Sequence, residues 1–184
     1  PLPALAGTHQ VDNAAGVLMV LQCLNMDGFD QSVIDLALQE VTLNGRFERI
    51  NGEQEIILDV AHNADGSRRL AETLATRGVQ GETWCLLGVL SDKDAENMLG
   101  NLCAQVDQWV LSSPDSPRAL PTSALKASFD EFVGSGDCQV ADSIESGFEL
   151  ARRNLGPKDR LLVTGSFYTV GQVKAVLQAE IQGE

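Results

Sequence analysis

Residues 58–65 read Leu-Asp-Val-Ala-His-Asn-Ala-Asp, so an apolar run ends on Asp59 and brings His62 and Asn63 where the chain must turn. A carboxylate there accepts hydrogen bonds from hydroxyl, amine or N–H donors. An imidazole can both donate and accept hydrogen bonds, and an Asn side chain folds back on its own backbone as an Asx cap. Three further stretches combine small, hydroxylated and charged residues: Ser91-Asp92-Lys93-Asp94, the Ser-Ser-Pro-Asp-Ser-Pro-Arg run from Ser112, and Thr164-Gly165-Ser166. Each has a purely structural alternative. Ser91 with Asp94 is a capping pair, Gly165-Ser166 a tight turn with a cap, Asp59 a cap or ion-pair partner, His62 a partly exposed histidine at a helix start, and Arg118 a surface loop charge.

These stretches must be positioned by the elements that precede them. Residues 8–24 place Val11, Ala14, Ala15, Leu18, Leu21 and Cys23 or Leu24 at helical spacing, with Thr8 available as a cap, and residues 30–41 repeat the pattern after a turn at 25–29. From residue 44 the character changes. A turn at Asn44-Gly45, a short alternating strand, a turn at Asn51-Gly52 and an apolar strand over 55–60 are followed by helix 65–77, strand 83–90, helix 94–106 and strand 108–113. Helix 122–133, strand 138–141, helix 142–154, strand 159–166 and helix 168–182 complete the chain. This alternation predicts an α/β fold, a mostly parallel, Rossmann-like mixed sheet of about six strands with helices on both faces, preceded by two helices. The boundary falls at 43–46, dividing the chain into 1–43 and 44–184. In such a sheet ligands bind beyond the carboxyl ends of the strands, and all four polar stretches sit there.

Composition narrows the function. Thirteen Lys and Arg against 26 Asp and Glu leave a net charge of −13, which repels nucleic acid and anionic membrane surfaces. No stretch is long and apolar enough to span a membrane, and the first residues lack a signal-peptide pattern, so a cytoplasmic protein, expected to be a monomer, is the reading. Cys23, Cys85, Cys103 and Cys138 form no CxxC pair and no zinc pattern, which predicts buried free thiols. Neither GxxxxGK[ST], GxGxxG nor GxSxG occurs, so a nucleotide would be met without the main phosphate loop. Pro1 in place of a Met leads us to expect a piece of a longer protein.

Six ordered stretches carry a resemblance: residues 7–18 (GTHQVDNAAGVL), 44–48 (NGRFE), 57–66 (ILDVAHNADG), 87–94 (LGVLSDKD), 116–120 (SPRAL) and 163–171 (VTGSFYTVG). In order and spacing they resemble folylpolyglutamate synthases, whose bacterial members are often also dihydrofolate synthases, within the Mur-ligase-like amide-bond ligases. The resemblance implies that 44–184 is the C-terminal domain and 1–43 the end of the central ATPase domain. It implies a reaction in which ATP phosphorylates a folate or pteroate carboxylate and the amine of L-glutamate attacks the acyl phosphate, with folate or dihydropteroate as acceptor. ATP with Mg2+ is the implied cofactor pair, the phosphate loop and Mg2+ ligands lying in the larger N-terminal domain and no metal ligand in this chain.

By the same resemblance, Asn13 and Arg46 are ATP-associated, Asp59 hydrogen-bonds ribose or adenine, and His62 faces the phosphates as the catalytic group. Ser91, Asp92, Lys93, Asp94 and Ser166 match motif positions assigned to glutamate or folate recognition. Asn44 and Ala64 stand where the family often has Pro, a change in preorganisation without chemistry. The chain alone is expected to be inactive. A stand-alone nucleotide- or amino-acid-binding module and a cell-wall ligase domain are the alternatives.

Overall fold

The computed structural model describes residues 1–24, 30–52, 54–134 and 137–183; the turn expected at 25–29 lies outside the described residues. Two helices come first, α1 (His9–Cys23) and α2 (Gln31–Glu40), then the strands β1 (Glu48–Asn51) and β2 (Glu55–Leu58). The remainder alternates: α3 (Ala64–Ala75), β3 (Thr83–Leu87), α4 (Ala95–Leu102) with a 3-10 turn at Cys103–Gln105, β4 (Gln108–Leu111), α5 (Thr122–Phe132), β5 (Cys138–Val140), α6 (Ile144–Asn154), β6 (Arg160–Thr164) and α7 (Phe167–Gln182). The six strands lie in the order β1-β2-β6-β3-β4-β5. Among the described residues only the β1–β2 pair of strands is antiparallel, so the expected mostly parallel sheet is the one observed.

The strands read as unbroken apolar runs because both faces are covered. Successive residues of β6 go to opposite sides: Leu162 joins Ile57, Cys85, Leu87, Trp109 and Leu111 against residues of α3, α4 and α5. Leu161 and Val163 join Ile56, Leu58, Trp84, Leu86 and Val110 against α6 and α7. Trp109 and Phe129 meet edge to face at 5.7 Å in the first layer, an arrangement that aromatic quadrupoles favour. At the amino end of β6, Arg160 is buried, donating from Nε to Thr83 Oγ1 at 2.9 Å and from Nη1 to the Arg77 carbonyl at 2.6 Å.

Several strands are shorter than their apolar runs. The strands end at Leu58 and Leu87, short of the runs over 55–60 and 83–90, because residues 59–61 and 88–90 leave the strands as loops in which Val60, Ala61, Val89 and Leu90 stay buried; Leu90 makes only an isolated bridge with Ala119. Thr8 does not cap α1: its backbone is already helical and its side chain accepts no cap hydrogen bond. The apolar face expected on α1 is also only partly right. Ala14, Leu18 and Leu21 line a groove against α2, but Val11, Cys23 and Leu24 are exposed. All four cysteines are free, yet only Cys85 is buried; Cys138 is half-buried and Cys23 and Cys103 are exposed, which corrects the expectation of buried thiols.

The sheet's carboxyl edge is tied together by short backbone links. Gly165 N–H donates to the Ala61 carbonyl at 3.1 Å, Gly88 N–H to the Thr164 carbonyl at 3.2 Å, and Thr169 Oγ1 to the Gly88 carbonyl at 2.7 Å. Gly165 has φ +110°, and a Cβ there would overlap the Gly88 carbonyl oxygen. Gly165→Ala is expected to cost about 3 kcal/mol or more of stability through strain and overlap. Urea unfolding checks this, as a lowered midpoint at unchanged slope.

Candidate ligand cleft

The cleft is built where β2 runs out. Asp59, the first residue past the strand, is half-buried and turns its carboxylate onto two backbone donors: Oδ2 accepts from Phe47 N–H and Oδ1 from Ala61 N–H, both at 2.8 Å. The first bond reaches back to the segment joining α2 to β1. The second pins the turn that leads into α3. Ala61 is held from the other side by Gly165 N–H, and Thr164 Oγ1 adds a longer contact to its carbonyl at 3.4 Å. His62 therefore issues from a residue fixed at both backbone polar groups.

His62 is oriented in turn. Its Nδ1 lies 2.9 Å from the Val60 carbonyl, which can only accept, so Nδ1 carries the proton and Nε2 is left for a ligand. Phe167 packs beside the ring at 5.7 Å with a 45° tilt. Asn63 is the N-cap of α3, its side-chain oxygen accepting from Gly66 N–H at 2.8 Å, which is the Asx cap expected of it.

The joining segment supplies Arg46. Gly45 and Phe47 both have positive φ, +66° and +48°. For Phe47 this is a conformation that side chains rarely adopt. Burial of the Phe47 ring in the core, Arg77 stacked over it at 5.4 Å and the bond to Asp59 hold it there. Gly45 is fixed by its N–H to Glu48 Oε2 at 2.7 Å and by Val60 N–H to its carbonyl at 2.8 Å. Arg46, between these two residues, is exposed on the cleft.

The start of α1 closes the space. Asn13 donates to Gln10 Oε1 at 3.0 Å, and His9 and Gln10 stand beside it. The cleft, about 450 Å3, is bounded by His9, Asn13, Arg46, Asp59, His62 and Arg69 among others. Asn13, Arg46, Asp59 and His62, far apart in the chain, are thus brought together. His9, Gln10, Asp65 and Arg69 were not singled out by sequence reasoning. The available signal was helical spacing, His9 lying four residues before Asn13 and Asp65 four before Arg69, on shared helix faces.

The other candidates lie elsewhere on the same sheet edge. Asp92 pairs with Arg118 at 2.8 Å and with Lys93 at 3.0 Å, so Arg118 is not a bare loop charge. Asp94 caps α4 by accepting from Asn97 N–H at 3.0 Å; Ser91 is exposed and takes no part in that cap, its N–H bonding the Arg118 carbonyl at 2.8 Å instead. Ser166 is buried, with its hydroxyl engaged at the start of α7 by Thr169 N–H at 3.0 Å and Thr169 Oγ1 at 2.8 Å. None of the five lines the 450 Å3 cleft.

Burial pushes the Asp59 carboxyl above its ordinary value, against the pull of the two N–H bonds, Arg46 and His9. Burial likewise holds the His9 imidazole below its ordinary value, helped by Arg69 and Arg46 and opposed by Asp59 and Asp65. Among the described residues no group of three or more His, Cys, Asp or Glu could hold a metal ion. The lining sets Arg46, Arg69, two imidazoles and amide donors beside Asp59 and Asp65, groups that bind and orient a ligand through charge and hydrogen bonds.

An open, mostly parallel α/β sheet with a polar cleft at the carboxyl ends of its strands defines a Rossmann-like ligand-binding domain. Residues 45–167 match the family described as Mur ligase, glutamate ligase domain, and the chain belongs to that family. It is 29% identical over 171 residues to the dihydrofolate synthase/folylpolyglutamate synthase of Escherichia coli (strain K12), covering 93% of this chain and 39% of the relative. It is 27% identical over 195 residues to the like-named protein of Mycobacterium tuberculosis, covering 97% and 40%. Among solved structures, E. coli FolC in complex with DHPP and ADP superposes with a TM-score of 0.86 at 28% identity, over 98% of this chain and 41% of that one. The Yersinia pestis c092 bifunctional folylpolyglutamate synthase/dihydrofolate synthase complexed with AMPPNP and Mn ion gives 0.83 at 30%, over 97% and 40%. The chain thus spans about two fifths of the length of these relatives.

Asp59 provides a pH test. Because its folded-state value is raised, the contribution of its protonated form to stability is fully present below the unfolded value, near 3.8, and is lost as pH rises through the folded value. The unfolding free energy of the wild type minus that of Asp59→Asn, which has no carboxyl to titrate, is expected to fall with pH across that window and then level. A difference that grows with pH in urea titrations would mean that the N–H bonds outweigh burial.

Proposed function

We propose that this chain is the carboxyl-terminal part of an ATP-dependent ligase that adds L-glutamate to folate, and that also joins dihydropteroate to glutamate, by way of an acyl phosphate. One observation carries the reading: a single cleft collects Asn13 from the helix pair and Arg46, Asp59 and His62 from the α/β unit. The dihydrofolate synthase/folylpolyglutamate synthase names of the relatives, and the ADP and AMPPNP in their structures, support it. Residues 1–43 would belong to a larger ATPase domain and 44–184 form the C-terminal domain, so that the cleft closes on the nucleotide from both.

In this reading Arg46 and Asn13 hold the nucleotide through guanidinium and amide donors. Asp59 accepts from ribose hydroxyls or the adenine amine with the lone pairs that Phe47 and Ala61 leave unused. His62, with Nδ1 fixed on Val60, presents Nε2 to the phosphates and stabilises charge that develops as the phosphoryl group moves. Ser91, Asp92, Lys93 and Asp94 form the glutamate or folate side of the site, with the Lys93 ammonium matched to a carboxylate. Ser166 serves it indirectly by fixing the start of α7. A divalent cation would neutralise phosphate charge. Asp59 and Asp65 are already engaged by N–H and arginine donors, so we assign the Mg2+ ligands to the part of the enzyme outside this chain.

His62→Ala in the full-length enzyme is expected to lower glutamate-dependent ADP release by about a hundredfold or more. Its unfolding midpoint should stay close to the wild type, because His62 is only half-buried. Near-normal turnover would refute the assigned role.

A further inference from the structure

Arg69 lies in the cleft, yet neither a motif nor the resemblance points to it. It sits on α3, two turns beyond His62, and its Nε donates to Asp65 Oδ2 at 2.8 Å. Long helical side chains lean toward the helix amino end. The i,i+4 bond to Asp65 enforces that lean, directing the guanidinium to the end of α3 where the cleft opens. Its two terminal nitrogens have no hydrogen-bond partner among the described residues, and Arg46 has no ion pair there either.

The acids of the cleft are differently placed. Asp59 accepts from two backbone N–H groups, and Asp65 pairs with Arg68 at 2.6 Å as well as with Arg69. The cleft's cations thus keep unfilled donors while each of its anions already accepts from two donors, the reverse of a metal site. In a chain of net charge −13, this local inversion matches a multiply charged oxyanion.

We propose that Arg69, aimed by Asp65, is a second phosphate-binding arm that works with Arg46 on the phosphate chain of the nucleotide. The inference rests on the nucleotide reading above and adds to it a residue that sets the preference for phosphorylated over unphosphorylated ligand. Arg68 is the internal control. It shares Asp65, also pairs with Glu72 and carries the same charge, but it does not line the cleft.

The test is equilibrium titration of the full-length protein with ADP and with adenosine. Arg69→Gln is expected to weaken ADP binding about tenfold or more while leaving adenosine unchanged. Arg69→Lys should recover part of the loss, because it keeps the charge without the fork. Arg68→Gln should bind both ligands as the wild type does. Circular dichroism melting confirms that each variant folds. ADP binding unaltered in Arg69→Gln, or an equal loss of ADP and adenosine, would overturn the proposal. A wild type that binds neither ligand would refute the nucleotide reading itself and the inference with it, so the two failures are distinguishable.

Discussion

The carboxylate of Asp59 joins three parts of the molecule. One oxygen holds the segment that carries Arg46, the other holds the turn that carries His62, and the residue itself is the last anchor of β2 through its N–H to the Val163 carbonyl at 3.0 Å. Without that bridge, only the burial of its ring and the Arg77 stack would hold Phe47 at positive φ, and the segment carrying Arg46 would lose its tie to the end of β2. Two hydrogen bonds to a charged acceptor are together large enough to outweigh the strain of one unusual backbone conformation, on the order of 1–3 kcal/mol. The same carboxylate is the ligand-facing acid of the proposed site, so the group that shapes the cleft also stands inside it.

Much of the fold was legible in the sequence because α/β units announce themselves twice, by apolar runs of strand length and by amphipathic stretches between them. Every expected strand and helix among the described residues is present, with ends displaced by a few residues. The ends of the strands expected over 55–60 and 83–90 were misjudged for a single reason. Val60 and Ala61, and Val89 and Leu90, are buried and apolar but sit in loops that fold back over the sheet edge. Apolarity reports burial, not pairing, and a buried loop looks like a strand until its hydrogen bonds are known. The Thr8 cap failed in a similar way, since a capping side chain does nothing once its own backbone is helical.

The site was legible unevenly. Asp59, His62 and Asn63 stood out because their residue types interrupt an apolar strand. Asn13 and Arg46 could be paired with them only through a resemblance, since nothing in linear spacing says that the start of α1 meets the end of β2. His9, Asp65 and Arg69 escaped notice because each has an ordinary helical neighbourhood, and only the cleft bordered by the starts of α1 and α3 gives them a common space. The cluster of Asp92, Lys93 and Arg118 was half visible: the acidic-basic run is plain, but the arginine that completes it arrives from a loop beyond the next strand.

The strand order has a consequence for how the chain is made. β6 is the last strand in sequence yet lies between β2 and β3. Until residues 160–164 have been synthesised, the early hairpin has no parallel neighbour, and β3 with β4 and β5 is a separate half-sheet. The contacts that fix Ala61, and through it His62, therefore form only when nearly the whole chain is available. Such pairing across long sequence separations slows folding and leaves strand edges open in the meantime. The cleft is thus one of the last features to appear on a growing chain, which keeps a half-made domain from presenting a finished ligand surface.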